Sequence, residues 1–377
     1  MSTLLDFKCP ACGGAIQFDS ATQKMKCPYC DTELDMTEMQ AQDDILDTQS
    51  PDINNSGASA PDVEADNLNW NNDAGNEWTN GETDNMSVFV CKSCGGEIVG
   101  DENTAATSCP FCGNPVVMSG RLSGMLKPDF VIPFKLDKKA AKEQYQKHIS
   151  GKFLLPKLFK EENHIDEIKG VYVPFWLYDS DISASANFDA HIVRTWSDSK
   201  YEYTETKNYD VFRGGNMSFN NIPVDGSTVM DDALMESIEP FDFKEAVPFN
   251  SAYLAGYFAD KYDVDSKQSE ARANDRLRQS ATDVLKSTAE GYTTVDLADE
   301  TKSGVQILKG TVKYALYPVW LLTSAYKGKK YTFAMNGQTG KFVGDLPVDT
   351  GKKNLTFAGI FAAVTTAVTI LSYLFFA

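Results

Sequence analysis

Eight cysteines carry the clearest chemistry in this 377-residue chain. Cys9 and Cys12 form one Cys-x2-Cys pair, and Cys27 and Cys30 form another after fourteen residues. Cys91, Cys94, Cys109 and Cys112 repeat the same frame 82 residues later, and no cysteine is left over. Two such pairs present four thiolates to one tetrahedral ion, the ligand set of structural zinc. Sulfur fills every coordination position, so no place stays open for water, and each site should contribute folding free energy rather than catalysis. Two structural zinc ions are expected, with iron the competing occupant of a four-thiolate cage. Gly13, Gly95 and Gly113 follow the second cysteine of their knuckles, where a positive φ helps, while Asp31 takes that place in the fourth.

Other reactive constellations are missing from the sequence. The three histidines, His148, His164 and His191, fall in no metal-binding frame, and there is no phosphate-binding glycine loop and no nucleophile elbow. The chain reads as a non-enzyme with no catalytic residues. His148 stands near the end of a predicted helix, where a cation complements the helix dipole. Arg272, Arg276 and Arg278 alternate with Glu270, Asp275 and Asp283 and read as a charge-paired helix face. Phe175, Trp176, Tyr178, Tyr314, Tyr317 and Trp320 read as core.

Five segments must position these residues. Residues 4–35 and 87–119 are two zinc ribbons that match around their knuckles, an internal duplication. Between them, residues 36–86 read as a disordered acidic linker. From Asp31 to Val90 there are 15 Asp and Glu and no Lys or Arg, a composition too polar to offset the entropy of ordering. Trp70 and Trp78 stand out in it, as either a short docking motif or tolerated aromatics. Residues 125–350 form an α+β body of two related halves, antiparallel sheet with helices on one face. Each half reads strand, helix, then a Pro-x-Trp-Leu strand and a hairpin: Pro174-Phe175-Trp176-Leu177 returns as Pro318-Val319-Trp320-Leu321, with Lys169-Gly170 and Lys309-Gly310 ahead of them. Asp137 should cap a helix ending near Ile149, before Gly151, and Asp265 or Ser266 should open a longer one. Asn216–Gly226 reads as turn-rich and Ala252–Ala259 as strand-like. Prolines in the Pro-x-Trp strands predict edges or bulges.

The last segment, 355–377, is a transmembrane helix. Leu355 to Phe376 is 22 residues without a charge, about 33 Å as a helix against a hydrocarbon core of about 30 Å. Lys352 and Lys353 flank its start, which by the positive-inside rule keeps the body cytoplasmic on a single-pass C-terminal anchor in the cell membrane. Met1 to Phe7 shows no signal peptide, consistent with a reducing compartment for the cysteines. The net charge of −18, and ribbons that are each net negative, oppose nucleic acid as a partner.

The knuckles Cys9-Pro-Ala-Cys12-Gly13-Gly14 and Cys91-Lys-Ser-Cys94-Gly95-Gly96, each paired with Cys-Pro-Tyr/Phe-Cys, resemble the transcription-factor-IIB-type zinc ribbon. The whole layout of ribbons, acidic linker, Pro-x-Trp body and C-terminal membrane helix resembles the bacterial membrane-anchored zinc-ribbon proteins linked to phage-shock-type envelope stress. That resemblance implies a non-enzymatic adaptor that brings a phage-shock coat protein, through an intermediary, to the bilayer. Of site residues it carries over only the eight cysteines, as metal ligands. A nucleic-acid-binding ribbon protein and a small-ligand-binding body are the competing readings.

Overall fold

The protein's structure, a computed structural model, describes residues 17–20, 22–26, 33–34, 68–79, 82–83, 86–101, 108–122, 124–165, 167–298 and 303–376. In chain order its elements are β1 (Gln17–Asp19), β2 (Lys24–Lys26), β3 (Glu33–Leu34), β4 (Met86–Val90), β5 (Glu97–Asp101), β6 (Val117–Arg121) and β7 (Phe130–Val131). Helix α1 (Lys138–Ile149), a 3-10 turn at Lys157–Lys160 and the short α2 (Glu162–Ile165) follow. Then come β8 (Lys169–Ser197), β9 (Glu202–Asp225), α3 (Asp232–Ser237), β10 (Val247–Pro248), β11 (Phe258–Asp260) and α4 (Ser266–Ser287). The chain closes with β12 (Thr294–Leu297), β13 (Gly304–Tyr326), β14 (Lys329–Asn336), β15 (Phe342–Gly344) and α5 (Thr350–Phe376).

Strands β1 to β3 make a small antiparallel sheet, and the other strands join one 12-stranded sheet. At its centre β8 and β13 pair antiparallel from Lys169↔Leu321 to Ser185↔Gly304. Their side chains alternate between two cores. Tyr172, Trp176 and Tyr178 with Tyr314, Leu316 and Trp320 face one core, while Val171, Val173 and Phe175 with Tyr317, Val319 and Leu321 face the other. Burial on both faces explains why these strands read as nearly continuous apolar runs. The first core is covered by α1, through Ala141, Tyr145 and Ile149, and by α4, through Ala273, Leu277, Ala281 and Leu285 at four-residue spacing. Asp137 caps α1 by accepting from the Ala140 amide, and Asp265 with Gln268 forms a capping box on α4, as the sequence predicts.

The sheet is mixed, not antiparallel throughout. Strand β7 lies parallel to β13, and β11 lies parallel to β8. With β8 and β13 paired at the centre, each short strand that precedes a helix lies on the outer edge of the long strand of the other segment. The prolines fit into this arrangement. Along one side of β8 the neighbour changes from β11, which ends opposite Tyr172, to β9, which begins opposite Phe175. Along β13 it changes from β7, opposite Leu316, to β14, opposite Val319. Pro174 and Pro318 sit at these two gaps, so their missing N–H groups break no ladder. Their carbonyls accept from the Gly226 and Gly337 amides, each at 2.8 Å. The Gly226 carbonyl in turn accepts from Asp263 and Val264, and the Gly337 carbonyl from Lys135 and Leu136. The indole of Trp176 donates to the Val264 carbonyl at 2.8 Å, and that of Trp320 to the Leu136 carbonyl at 2.9 Å. Each indole therefore fixes the residue just ahead of a helix cap.

Three local expectations change. Asn216–Gly226, read as turn-rich, lies largely within β9, because Asn216, Ser218 and Asn220 occupy the exposed positions of a ladder that runs through Ser183↔Asn216 and Tyr178↔Ile222. Ala252–Ala259 begins as a 3-10 turn and becomes strand only at Phe258. Of the linker expected over 36–86, residues 36–67, 80–81 and 84–85 lie outside the described residues, while Leu68–Thr79 lies along the body. Trp70 packs edge-on against Tyr178 at 4.9 Å and donates to Asn274 Oδ1 at 2.8 Å. Trp78 packs against Phe249 and donates to the Met125 carbonyl. A Cβ at Gly310 would stand 2.9 Å from the Trp70 ring, so the glycine makes room for it. Two half-buried indoles packed against the core, each with a satisfied N–H group, outweigh the polarity of the acidic tract around them.

Beyond Ala190, the last buried residue of β8, the β8–β9 hairpin leaves the body as an exposed arm, with Trp196 stacked on Tyr203 at 5.7 Å near its tip. Helix α5 leaves from the opposite end. It is long and apolar enough to cross a membrane, and none of its apolar window is buried against protein.

Candidate metal centre

Cys91 and Cys94 lie on the turn between β4 and β5, and Cys109 and Cys112 on the turn before β6. Each turn closes in the same way. The Gly95 amide donates to the Cys91 carbonyl at 2.8 Å and the Gly113 amide to the Cys109 carbonyl at 2.9 Å. Gly95 and Gly113 adopt φ of +80° and +76°, the conformation their positions call for. The four sulfur atoms lie within 4.8 Å of one another. Cys91 Sγ is 3.4 Å from Cys112 Sγ, and Cys94 Sγ is 3.7 Å from Cys109 Sγ. A tetrahedron with metal–sulfur bonds of about 2.3 Å has sulfur–sulfur edges of about 3.8 Å. The set therefore fits one four-coordinate ion and offers it no open position.

Burial and hydrogen bonding pull the thiols in opposite directions. Burial pushes the Cys109 thiol far up and the Cys94 thiol up. Burial also acts against the Cys112 thiolate, but the backbone amide and side chain of Asn114 and the neighbouring thiols bring Cys112 down to about 7. Asn114 Nδ2 donates to Cys112 Sγ at 3.4 Å and to Ser93 Oγ at 2.9 Å, joining the two knuckles. Donors aimed at sulfur stabilise the thiolates that a metal requires.

The expected ribbon at 87–119 is built into the body. Strand β5 pairs with β11, placing β4, β5 and β6 in the main sheet. Cys91, Cys109 and Phe111 are buried in the second core with Val171, Phe175 and Leu321. Lys169 Nζ donates to the Ser108 carbonyl at 2.6 Å and to the Ser108 hydroxyl, and Thr323 Oγ1 donates to the Pro110 carbonyl at 3.1 Å. Burial holds the Lys169 ammonium below its usual range, and the nearby Cys109 and Cys112 act the other way. Sequence reasoning missed Lys169 and Thr323 because their partners, Ser108 and Pro110, lie 61 and 213 residues away, and it missed the burial of Phe111 in the body's core. The aromatic between Cys109 and Cys112 was the one local signal. Cys9, Cys12, Cys27 and Cys30 lie outside the described residues. Within the expected first ribbon, Gln23 Nε2 donates to the Phe134 carbonyl at 2.8 Å.

The remaining candidates are charge pairs. Arg276 donates twice to Glu239 and once to the Pro223 carbonyl, Arg272 pairs with Asp232 and Glu236, and Arg278 pairs with Asp275. His148 lies in the last turn of α1 with Nε2 unpartnered, and His191 bonds Asn208 on the arm. The His164 side chain lies outside the described residues.

A mixed-sheet body with a tetracysteine centre in one core and an exposed apolar helix at one end defines the class. The uncharacterized protein YdjG of Bacillus subtilis (strain 168) is 34% identical over 256 residues, covering 68% of this chain and 74% of that protein. The chain belongs to the family of that protein. No protein-family model and no solved structure matches it.

Proposed function

We propose that this protein is a membrane-anchored cytoplasmic adaptor. Its cysteine sites hold two structural zinc ions, one in each ribbon, and build surfaces for protein recognition. Helix α5 spans the cell membrane once. The observation that carries the reading is the pairing of a closed four-sulfur site with a helix that buries its side chains in no protein. A closed site supports shape, and an unburied apolar helix demands lipid. The phage-shock-type resemblance supports an envelope-stress role, with a coat protein reached through an intermediary. The test is crosslinking and purification from native membranes. Membrane-associated partners should co-purify with the wild type and be lost when Cys9 and Cys91 are replaced by Ser; an unchanged set of partners would overturn the reading.

We further infer that the body is two halves related by a pseudo-twofold axis through the Val173↔Tyr317 pair. Supporting this, Gly170↔Trp320 and Trp176↔Tyr314 stand symmetrically about that pair. The bonds of Pro174, Gly226 and Trp176 also repeat those of Pro318, Gly337 and Trp320. In this register Lys309-Gly310 is not the counterpart of Lys169-Gly170, because Gly310 pairs with Ser180 while Gly170 pairs with Trp320.

A further inference from the structure

Three segments meet where α5 leaves the body. The Asp349 amide donates to the Leu154 carbonyl at 2.8 Å, and Lys352 Nζ donates to the Leu155 carbonyl at 2.7 Å, tying the loop after α1 to the helix start. Lys327 Nζ, in the β13–β14 turn, donates to Thr350 Oγ1 at 3.0 Å. Phe159, fully buried in the 3-10 turn, packs its ring on Tyr326 and Tyr331 at 5.9 and 5.8 Å, locking that turn under the same hairpin.

This end of the body is strongly basic. Lys152, Lys157 and Lys160 come from the loop, Lys327, Lys329 and Lys330 from the hairpin, and Lys352 and Lys353 from the helix start. All but Lys352 are exposed. Asp349 lies among them, its carboxylate accepting from the Gly351 amide at 2.9 Å and the Lys352 amide at 3.2 Å; Glu161 and Glu162 follow Lys160, and Asp231 and Asp345 line the same groove as Lys329 and Lys330. Eight lysines against these five acids leave this end net positive on a chain whose net charge is −18. Among the described residues none of these lysines is in an ion pair with a carboxylate. A net-positive, exposed end on an acidic chain attracts anions. Phe153, 63% exposed, and Leu158, 37% exposed, project from the same loop.

We propose that this end is a headgroup-docking face: its lysines bind the anionic phospholipids of the leaflet that α5 enters, and Phe153 and Leu158 insert into the interface. The inference rests on the reading that α5 spans a membrane and goes beyond it. A lone helix tethers a body at any tilt, whereas a basic rim with an apolar wedge sets its orientation. Strand β8 runs away from this end, from Lys169 opposite Leu321 to Ser197. Docking therefore holds the Trp196–Tyr203 tip off the bilayer.

The test is hydrogen exchange on the full-length protein in nanodiscs of phosphatidylcholine alone or with phosphatidylglycerol. Amides of 152–160 and 327–330 should exchange at least tenfold more slowly in the anionic discs, and 0.5 M NaCl should erase the difference. Each lysine removed should lower the docked-to-free ratio about fivefold. The combined K157Q, K160Q, K329Q and K330Q variant should therefore show no lipid dependence, while its β8 amides stay as protected as in the wild type. Equal exchange in both lipids, with α5 protected in both, overturns the docking face and leaves the membrane reading standing. Unprotected α5 amides overturn both. Slowing by an added RNA oligomer in zwitterionic discs, without any response to anionic lipid, also overturns the proposal.

Discussion

Asp225→Asn should make the protein more stable at neutral pH. Asp225 ends β9, is 7% exposed, and leaves Oδ2 without a partner. Burial pushes its carboxyl from 3.8 up to about 6, against the opposing charge of Arg272. Its counterpart in the proposed second half is Asn336, fully buried and fully used. Asn336 Oδ1 accepts from the Gln338 and Thr339 amides, each at 2.9 Å, and Nδ2 donates to the Ile238 and Pro240 carbonyls, each at 3.0 Å. The variant thus places at 225 a residue the fold already uses in the equivalent position. Holding the ionised carboxylate in the folded state at pH 7 costs about 3 kcal/mol. The direction follows from proton counting. Between about pH 4 and pH 6 the folded state holds more protons than the unfolded state, so Asp225 lowers stability as pH rises through that window and the full cost stands above it. Asn does not titrate. Chemical denaturation of the detergent-solubilised full chain, wild type against variant, should give nearly equal stabilities below about pH 4 and a gap widening to about 3 kcal/mol in the variant's favour by pH 7. A gap that does not change with pH, or a variant less stable at pH 7, would refute the reasoning.

Chelating a metal held by Cys91, Cys94, Cys109 and Cys112 should loosen the body as well as the cysteine turns, because Cys91, Cys109 and Phe111 share a core with Val171 and Leu321; hydrogen exchange that rises only within 87–119 would refute this. Phe111→Ala should cost about 3–5 kcal/mol, as for a fully buried aromatic, measured by denaturant titration, with a cost under 1 kcal/mol contradicting the packing described. Trp70→Ala should cost about 2 kcal/mol and expose residues 68–79 to limited proteolysis, whereas an unchanged cleavage pattern would show that the indole does not hold this segment. Replacing Trp196 and Tyr203 together with Ala should leave the melting temperature within a few degrees of the wild type, since both are exposed on the arm; a collapse of stability would show that the arm belongs to the core.

Much of the local structure is legible in the sequence. Asp137 and Asp265 announce their helices because a side-chain oxygen three residues ahead of an amide is a local event. The Cys-x2-Cys-Gly knuckles announce their own turns for the same reason. The β9 segment was less legible. Its Asn, Gly and Pro residues match turn chemistry, and only a partner strand supplying cross-strand bonds makes them a ladder. Trp70 and Trp78 show the same limit: composition describes the average residue of 68–79, but two indoles with distant partners decide where that stretch lies.

By itself the sequence determined which atoms can ligate metal, which stretch is apolar enough to cross a bilayer, and where the helices begin. These depend on residue type and on spacings of a few residues. Tertiary structure alone decided that β7 and β11 join the opposite long strands, that Pro174 and Pro318 fall where neighbouring strands change, and that the second cysteine site is walled in by the body's own core. It also brought lysines from three distant segments to one end. Each of these depends on which strand edge was left free for which segment, and long-range pairing of that kind leaves no mark on local periodicity.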